Sequence, residues 1–305
     1  MASFFSLGVD SFYTVLENLK CQEIGDRISK LIIVHGFDIP LAEDGFFGRI
    51  MDHARRAAAR MGLELIPVST NLRSLDNGAA YWGRYEHGAA LAAVGLALQG
   101  SISRVHIPAS HTNVDSYPWG SHPLVDPLWS TETLQFNHDG ADATRVQKIF
   151  ALASHQVALD NLHVCFSVYA NAKDGEEETP INCGDCEKCL RTMLSLSIAG
   201  ALDHCSTFPK PLDRTKFRHL KVPDASTASF TLENAEALEK SGQDPDLARL
   251  LARILRRDRG LWGRMKSSIL KGARRALSDA DRRFLGGLFH WALRRSESSK
   301  WIAAG

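Results

Sequence analysis

Two clusters in this chain have residue types and spacings that can do chemistry. The first is Phe5-Ser6-Leu7-Gly8-Val9-Asp10-Ser11, which follows a short apolar run and precedes a helical stretch. A helix N-terminus offers unpaired N–H groups and a partial positive charge to an anion. Small residues in the turn let backbone N–H groups, those of Gly8 and Val9 among them, approach phosphate oxygens closely. The hydroxyls of Ser6 and Ser11 can donate to the same anion. Asp10 is out of place beside a bare anion, and makes sense as a holder of Mg²⁺ against the phosphates, directly or through water. The second cluster is Cys183-Gly184-Asp185-Cys186-Glu187-Lys188-Cys189, a C-x-x-C-x-x-C array. Its thiolates can wrap one tetrahedral ion, and a structural Zn²⁺ site needs a fourth protein ligand. Cys165, at the end of an expected strand, is the best placed fourth ligand, ahead of His163 and His204. Iron–sulfur clusters use similar runs, but the bacterial ferredoxin pattern adds a fourth Cys followed by Pro. Here Leu190-Arg191-Thr192 follows Cys189, which favours zinc; Cys21 and Cys205 read as free thiols.

A third stretch could read a substrate. Ser110–Ser130 carries His111, Asp115, Tyr117 and Trp119 among other polar and aromatic groups, a composition that suits a flat, hydrogen-bonding ligand. Further on, Thr144-Arg145 opens a helical stretch, and Arg145 could neutralise charge developing on a phosphate.

Phe5–Ser11 resembles the S-G-G-x-D-S loop of the PP-loop ATP pyrophosphatases. These enzymes cleave ATP between its α and β phosphates and adenylate a carbonyl or carboxylate oxygen, after which ammonia or a sulfur donor displaces AMP. The loop and the cysteine array together are similar to those of the 7-cyano-7-deazaguanine synthases, where one Cys and a later C-x-x-C-x-x-C bind zinc. The paired motifs span most of residues 1–205. The resemblance implies ATP and Mg²⁺ at Ser6, Gly8, Val9, Asp10 and Ser11, with Ser6, Asp10, Ser11 and Arg145 as the catalytic group. It implies a place near the adenosine for His35, and Zn²⁺ on Cys165, Cys183, Cys186 and Cys189. His111, Asp115, Tyr117 and Trp119 would then face a small, purine-like substrate. Leu7 stands where the family has Gly, so a side chain is expected to crowd the pyrophosphate or shift the loop. Two other readings stay open: thiolation of a nucleobase or tRNA with Cys21 or Cys205 as sulfur carrier, and a degenerate nucleotide sensor disabled by Leu7.

The elements that must position these residues follow from periodicity. Ala2–Phe5, Leu31–Val34, Leu63–Val68, Val105–Ala109 and Leu162–Phe166 read as strands. Ser11–Leu19, Arg49–Met61, Ala89–Leu98 and Arg145–Leu152 read as the helices between them. Alternating strands and helices predict an α/β fold, a doubly wound and mostly parallel sheet, the adenine nucleotide alpha-hydrolase-like fold that the resemblance implies. Ligands of such sheets bind at the carboxyl ends of the strands, where the singled-out residues fall. The first strand is short, so the chain is expected either to begin with a very short strand or to start late. Residues 1–207 read as a nucleotide-binding domain that includes the zinc knot, 165–189. Residues 208–305 read as a proline-punctuated linker and a basic helical region, with helices at Thr231–Ser241, Pro245–Arg257 and Ser278–Arg295.

Composition bounds the function. A chain of 305 residues, 44% hydrophobic and 23% charged, can bury a sizeable core. The net charge of +1 excludes general attraction to nucleic acid, although basic residues crowd the region from Arg249 onward. That run reads as a solvated face or an oligomer contact, such as a homodimer, ahead of an RNA-phosphate grip. No apolar run approaches the roughly 20 residues needed to span a bilayer, and Met1–Phe5 lacks a basic leader. A cytoplasmic protein is therefore expected, with ATP and a small molecule as partners and no membrane.

Overall fold

The computed structural model of the chain describes residues 1–75, 82–113, 119–165, 180–208 and 211–257. The chain divides into two compact units, Met1–Ala252 and Arg253–Gly305. Only residues 253–257 of the second are described, so the expected helix at Ser278–Arg295 lies outside the described residues.

The first unit is α/β. Its strands are β1 (Ala2–Phe4), β2 (Lys30–His35), β3 (Glu64–Ser69), β4 (Arg104–Pro108) and β5 (Gln135–Asp139). Its helices are α1 (Val9–Asn18), α2 (Asp44–Met61), α3 (His87–Ala97), α4 (Arg145–Leu152), the short α5 (Gln156–Leu159), α6 (Glu187–Ile198) and α7 (Ala225–Ser241). The described strands form one parallel sheet in the order β3-β2-β1-β4-β5. β1 is central, with Ala2 opposite Lys30 on one side and Val105 on the other. Both faces of the sheet are covered, and successive β2 residues go to different cores. Leu31 and Ile33 pack with Phe12 of α1, Ile50 of α2 and Ile149 of α4. Ile32 packs with Phe4, Ile107 and, from α3, Ala92 and Val94. This two-sided burial explains the continuous Leu31–Val34 apolar run.

Two expectations are corrected. Leu162–Phe166 is not a sheet strand over its described part. Its backbone serves other partners: His163 N donates to the Leu7 carbonyl (2.9 Å), and Val164 N to the Asn182 side chain (2.9 Å). The fifth strand is instead Gln135–Asp139, in which Phe136 is the only residue that is deeply buried. An edge strand of this polarity carries almost no apolar signal.

The first unit also runs past residue 207 to Ala252. α7 packs on both α4 and α6. The buried Ser195 hydroxyl donates to Asn234 Oδ1 (2.8 Å), and Glu233 Oε2 accepts the Val146 N–H at the start of α4 (3.1 Å). A segment that read as a linker and separate helices is thereby part of the structure around the sheet.

Candidate functional site

The turn after β1 is built on an unusual backbone. Leu7 has φ of 62°, the left-handed region that non-glycine residues rarely enter. Among the described residues it is the only non-glycine with positive φ. Its side chain is fully buried in the core with Phe5, Val9 and Phe12. The expected crowding by Leu7 is therefore not present: the backbone keeps the conformation glycine favours, and the side chain goes into the core. Gly8 precedes α1 and no side chain caps that helix, so its first-turn amides remain open to a ligand. Ser6 is exposed, and its Oγ accepts from Gly8 N at a long 3.4 Å. Ser11 Oγ donates to the Gly8 carbonyl (3.0 Å), tying the turn to the helix.

Asp10, in the first turn of α1, is the electrostatic centre. Arg145 Nη1 lies 2.5 Å from Oδ2, and Lys148 Nζ lies 3.2 Å from Oδ1. Lys148 is almost fully buried and also donates to the Ala109 carbonyl at the end of β4 (2.6 Å). Burial pushes the Asp10 carboxyl pKa up, but Arg145 and Lys148 outweigh it and hold the group below its usual value. α4 aims both cations, because its N-terminus is fixed by a capping box between Thr144 and Gln147. The carboxylate keeps further lone pairs beside those two contacts, so a hydrated divalent cation can share it.

The loop opens into a cavity of about 660 Å³ at the carboxyl ends of the strands, within the range of roughly 300–1,000 Å³ typical of small-ligand sites. Ser6, Gly8, Asp10, Ser11 and Arg145 line it, as do Lys188, Arg191 and Phe230. Arg191 is buried over the Phe230 ring (4.1 Å) and donates to Glu187 (3.2 Å). Burial first, then the nearby Arg145 charge, brings its pKa down to about 10. Burial likewise lowers Lys188 to about 8, with Asp38 opposing and Arg191 adding to the shift.

Other expected residues separate. His111 and Trp119 line the cavity. His111 stacks on Phe230 (5.4 Å, 14°) and meets Trp119 edge-on (5.2 Å). Gly88 at the start of α3 allows this, since a Cβ there would sit 1.9 Å from the Gly120 carbonyl. Asp115 and Tyr117 lie outside the described residues. His35 does not line the cavity. It is buried, bonded through Nε2 to the Pro40 carbonyl (3.0 Å) and stacked on Phe47 (4.0 Å), so it serves the turn after β2. Phe37 and Trp82 line that side instead, and Arg73 lies over Trp82 (5.0 Å). Ser121, His138 and the fully buried Asp126 form a tight cluster. Ser121 donates to Asp126 (2.6 Å), and His138 Nδ1 lies 2.7 Å from the same oxygen. The serine hydroxyl also lies 3.4 Å from His138 Nδ1, so the three groups converge on one another, and the His122 amide donates to the other Asp126 oxygen (3.1 Å), which fixes the loop.

Cys165, Cys183, Cys186 and Cys189 converge, with all four sulfurs within 4.8 Å of one another. The Cys165–Cys186 and Cys183–Cys189 pairs are each 3.8 Å apart. Four sulfurs at 2.3 Å from a tetrahedral zinc lie about 3.8 Å apart, so the site fits a metal ion such as zinc. An iron–sulfur cluster would stand between the cysteines and hold them further apart. Bonds from the Asp185 and Cys186 amides to Cys183 Sγ (3.4 and 3.3 Å) suit a thiolate ligand. The knot adjoins the cavity: Cys186 is the N-cap of α6, which carries Lys188 and Arg191, and Cys165 follows the segment bonded to Leu7. Comparison with protein-family models, curated proteins and solved structures found no match. Among the described residues no helix is long and apolar enough to cross a membrane.

Proposed function

We propose that the chain is an ATP-consuming, AMP- and pyrophosphate-forming ligase of the PP-loop type. In this reading the strand-order reversal at β1 belongs to that superfamily's doubly wound sheet. The observation that carries the proposal is the turn at Ser6–Ser11. It joins a central parallel strand to uncapped α1, and sets Asp10 between Arg145 and Lys148 at the mouth of the cavity.

The open amides of α1 and the Ser6 hydroxyl bind triphosphate oxygens. Asp10 holds Mg²⁺, which offsets phosphate charge. Arg145 and Lys148 stabilise negative charge as an acceptor oxygen attacks the α-phosphorus and pyrophosphate leaves. Phe37 and Trp82 offer apolar surface to the adenosine. Ammonia then displaces AMP from the adenylated acceptor. The protein contributes mainly positioning and charge.

Two alternatives find less support. Cys205 is fully buried and bonded to the Leu159 carbonyl, and neither it nor Cys21 lines the cavity, which disfavours a sulfur carrier. The sensor reading depends on Leu7 obstructing the loop, and that side chain lies in the core. The test is turnover: zinc-loaded protein incubated with Mg²⁺, ATP, ammonium and a metabolite extract should release AMP and pyrophosphate in equal amounts. Release of ADP and phosphate, or of nothing across such extracts, would count against a ligase.

A further inference from the structure

A helix that is apolar on every side is normally buried on every side. α3 breaks that rule. From His87 to Gln99 there is no Asp, Glu, Lys or Arg, in a chain that is 23% charged. Ala92, Val94 and Gly95 are buried toward the sheet, yet Ala93 and Ala97 on the opposite side are exposed. A second apolar element stands beside α3. The one-turn 3₁₀ helix Asp126–Trp129 packs on both α3 and β5. In and just before it, Leu124 is 77% exposed, Leu128 79%, Val125 39% and Trp129 37%. Four of the ten exposed large hydrophobic side chains among the described residues are thus drawn together in one short segment. Single exposed apolar side chains need no explanation, whereas a contiguous patch marks a contact surface.

The patch has relief. Gly95 lets α3 sit low on the sheet, since a Cβ there would come within 2.7 Å of the Phe136 ring. Gly88 does the same at the helix start, against the Gly120 carbonyl. Ala93 and Ala97, four residues apart on the outward face, therefore form a shallow trough. Leu124 and Leu128 stand proud beside it. A ridge next to a trough on one surface fits a second copy of itself, because a twofold axis sets the ridge of each copy in the trough of the other. The patch also carries no exposed charge. Asp126 is the one Asp, Glu, Lys or Arg between Trp119 and Thr131, and it is fully buried, held by Ser121, the His122 amide and His138. Like can meet like here without the repulsion that a patch bearing one sign of charge would incur. The exposed side chains come to roughly 500 Å² per copy, so a symmetric pair would bury about 1,000 Å², the lower end of specific interfaces.

We propose that the chain forms a twofold dimer through α3 and Leu124–Trp129, with Leu128 of each copy seated against Ala93 and Ala97 of the other. The interface backs onto the cavity, since Leu91 of α3 and, shortly before the 3₁₀ turn, Trp119 and Ser121 line it. The second copy therefore braces that wall from outside.

The test is sedimentation velocity on the full-length, zinc-loaded protein. A contact of this size should dissociate with a Kd on the order of 1 μM, and wild type should pass from monomer to dimer across that concentration. Leu128→Glu, which puts a carboxylate on the ridge, and Ala93→Lys, which fills the trough, should each raise the Kd about tenfold or more. Both positions are exposed, so a native circular dichroism spectrum and full zinc content are expected of both variants. Mixed together, the two should form a heterodimer more tightly than either pairs with itself, since the new carboxylate of one meets the new ammonium of the other. Wild type that stays monomeric at every concentration would overturn the proposal. So would a dimer that both variants leave intact, which would place the contact on another surface, or a mixture no tighter than its components. Wild type that is monomeric in solution and sediments with phosphatidylcholine vesicles, while Leu128→Glu does not, would assign the patch to a lipid surface instead. None of these readouts involves nucleotide, so failure of the ligase reading leaves them unaffected.

Discussion

Replacing Leu7 separates two opposed effects in one residue. Its left-handed backbone should be strained by about 1–2 kcal/mol in any residue with a Cβ. Its side chain, wholly buried among Phe5, Val9 and Phe12, stabilises the fold. Leu7→Ala keeps the strain and empties the pocket, so it should destabilise by about 2–5 kcal/mol. Leu7→Gly empties the same pocket but relieves the strain, offset by roughly 0.5–1 kcal/mol of extra chain entropy. The glycine variant should therefore be about 0.5–1 kcal/mol more stable than the alanine variant, reversing the usual order, and both should lie below wild type. Urea unfolding with unchanged m-values is the assay. An alanine variant as stable as the glycine one would refute the left-handed turn. A glycine variant as stable as wild type would refute the buried anchor. The same proteins should bind Mg²⁺-nucleotide more weakly than wild type, because the anchor that holds the loop open is gone.

Asp10→Asn should leave Arg145 and Lys148 without an anionic partner and destabilise by about 3–5 kcal/mol. Calorimetry should find its nucleotide affinity raised without Mg²⁺ and no longer enhanced by it. The folded Asp10 pKa is lowered, so its contribution should be intact above the unfolded carboxylate value of about 3.9 and be lost as pH falls through the folded one. Acid unfolding of wild type and Asp10→Asn should therefore diverge above that range and converge below it. Chelation, or Cys186→Ser, should release zinc and raise hydrogen exchange at Leu7–Asp10 and at Lys188–Arg191, since the knot anchors both segments; unchanged exchange would uncouple knot from loop. Gly88→Ala should displace the Trp119 loop, because the new methyl meets the Gly120 carbonyl. A cost of about 1–3 kcal/mol and altered Trp fluorescence are expected.

The cysteine array was legible because it is contiguous in sequence and demands one residue type, and the Ser6–Ser11 turn stood out for the same contiguity. The α/β character with a parallel sheet followed from contiguous runs too, since Leu31–Val34 and Val105–Pro108 lie in strands of that sheet. What escaped was assembled from separate segments. Lys148 was one turn beyond Arg145, and the capping box at Thr144 hinted at its direction without naming its partner. Lys188 stood inside a motif read only for its cysteines and Arg191 two residues beyond it, although two cations three residues apart after a helix start share a face. Phe230 lay in a segment assigned to a separate region, and only tertiary packing brings it over two arginines. β5 was missed because Gln135-Phe136-Asn137-His138-Asp139 has one core residue. The strand expected at Leu162–Phe166 misled because burial beneath the Ser6–Ser11 turn needs the same apolar residues as burial within a sheet. Leu7 looked like an obstruction, since sequence shows the presence of a side chain and not the direction in which it points.

The central claim is that Ser6–Ser11 cradles a triphosphate with Asp10 directing a divalent ion. It is tested most directly by titrating the folded, zinc-loaded full-length chain with α,β-methylene-ATP, with Mg²⁺ and with chelator, while mapping hydrogen exchange. The account predicts saturable binding at one site per chain, strengthened by Mg²⁺, with new protection at Gly8–Phe12. Absence of binding, or binding that leaves those amides unchanged, would contradict it.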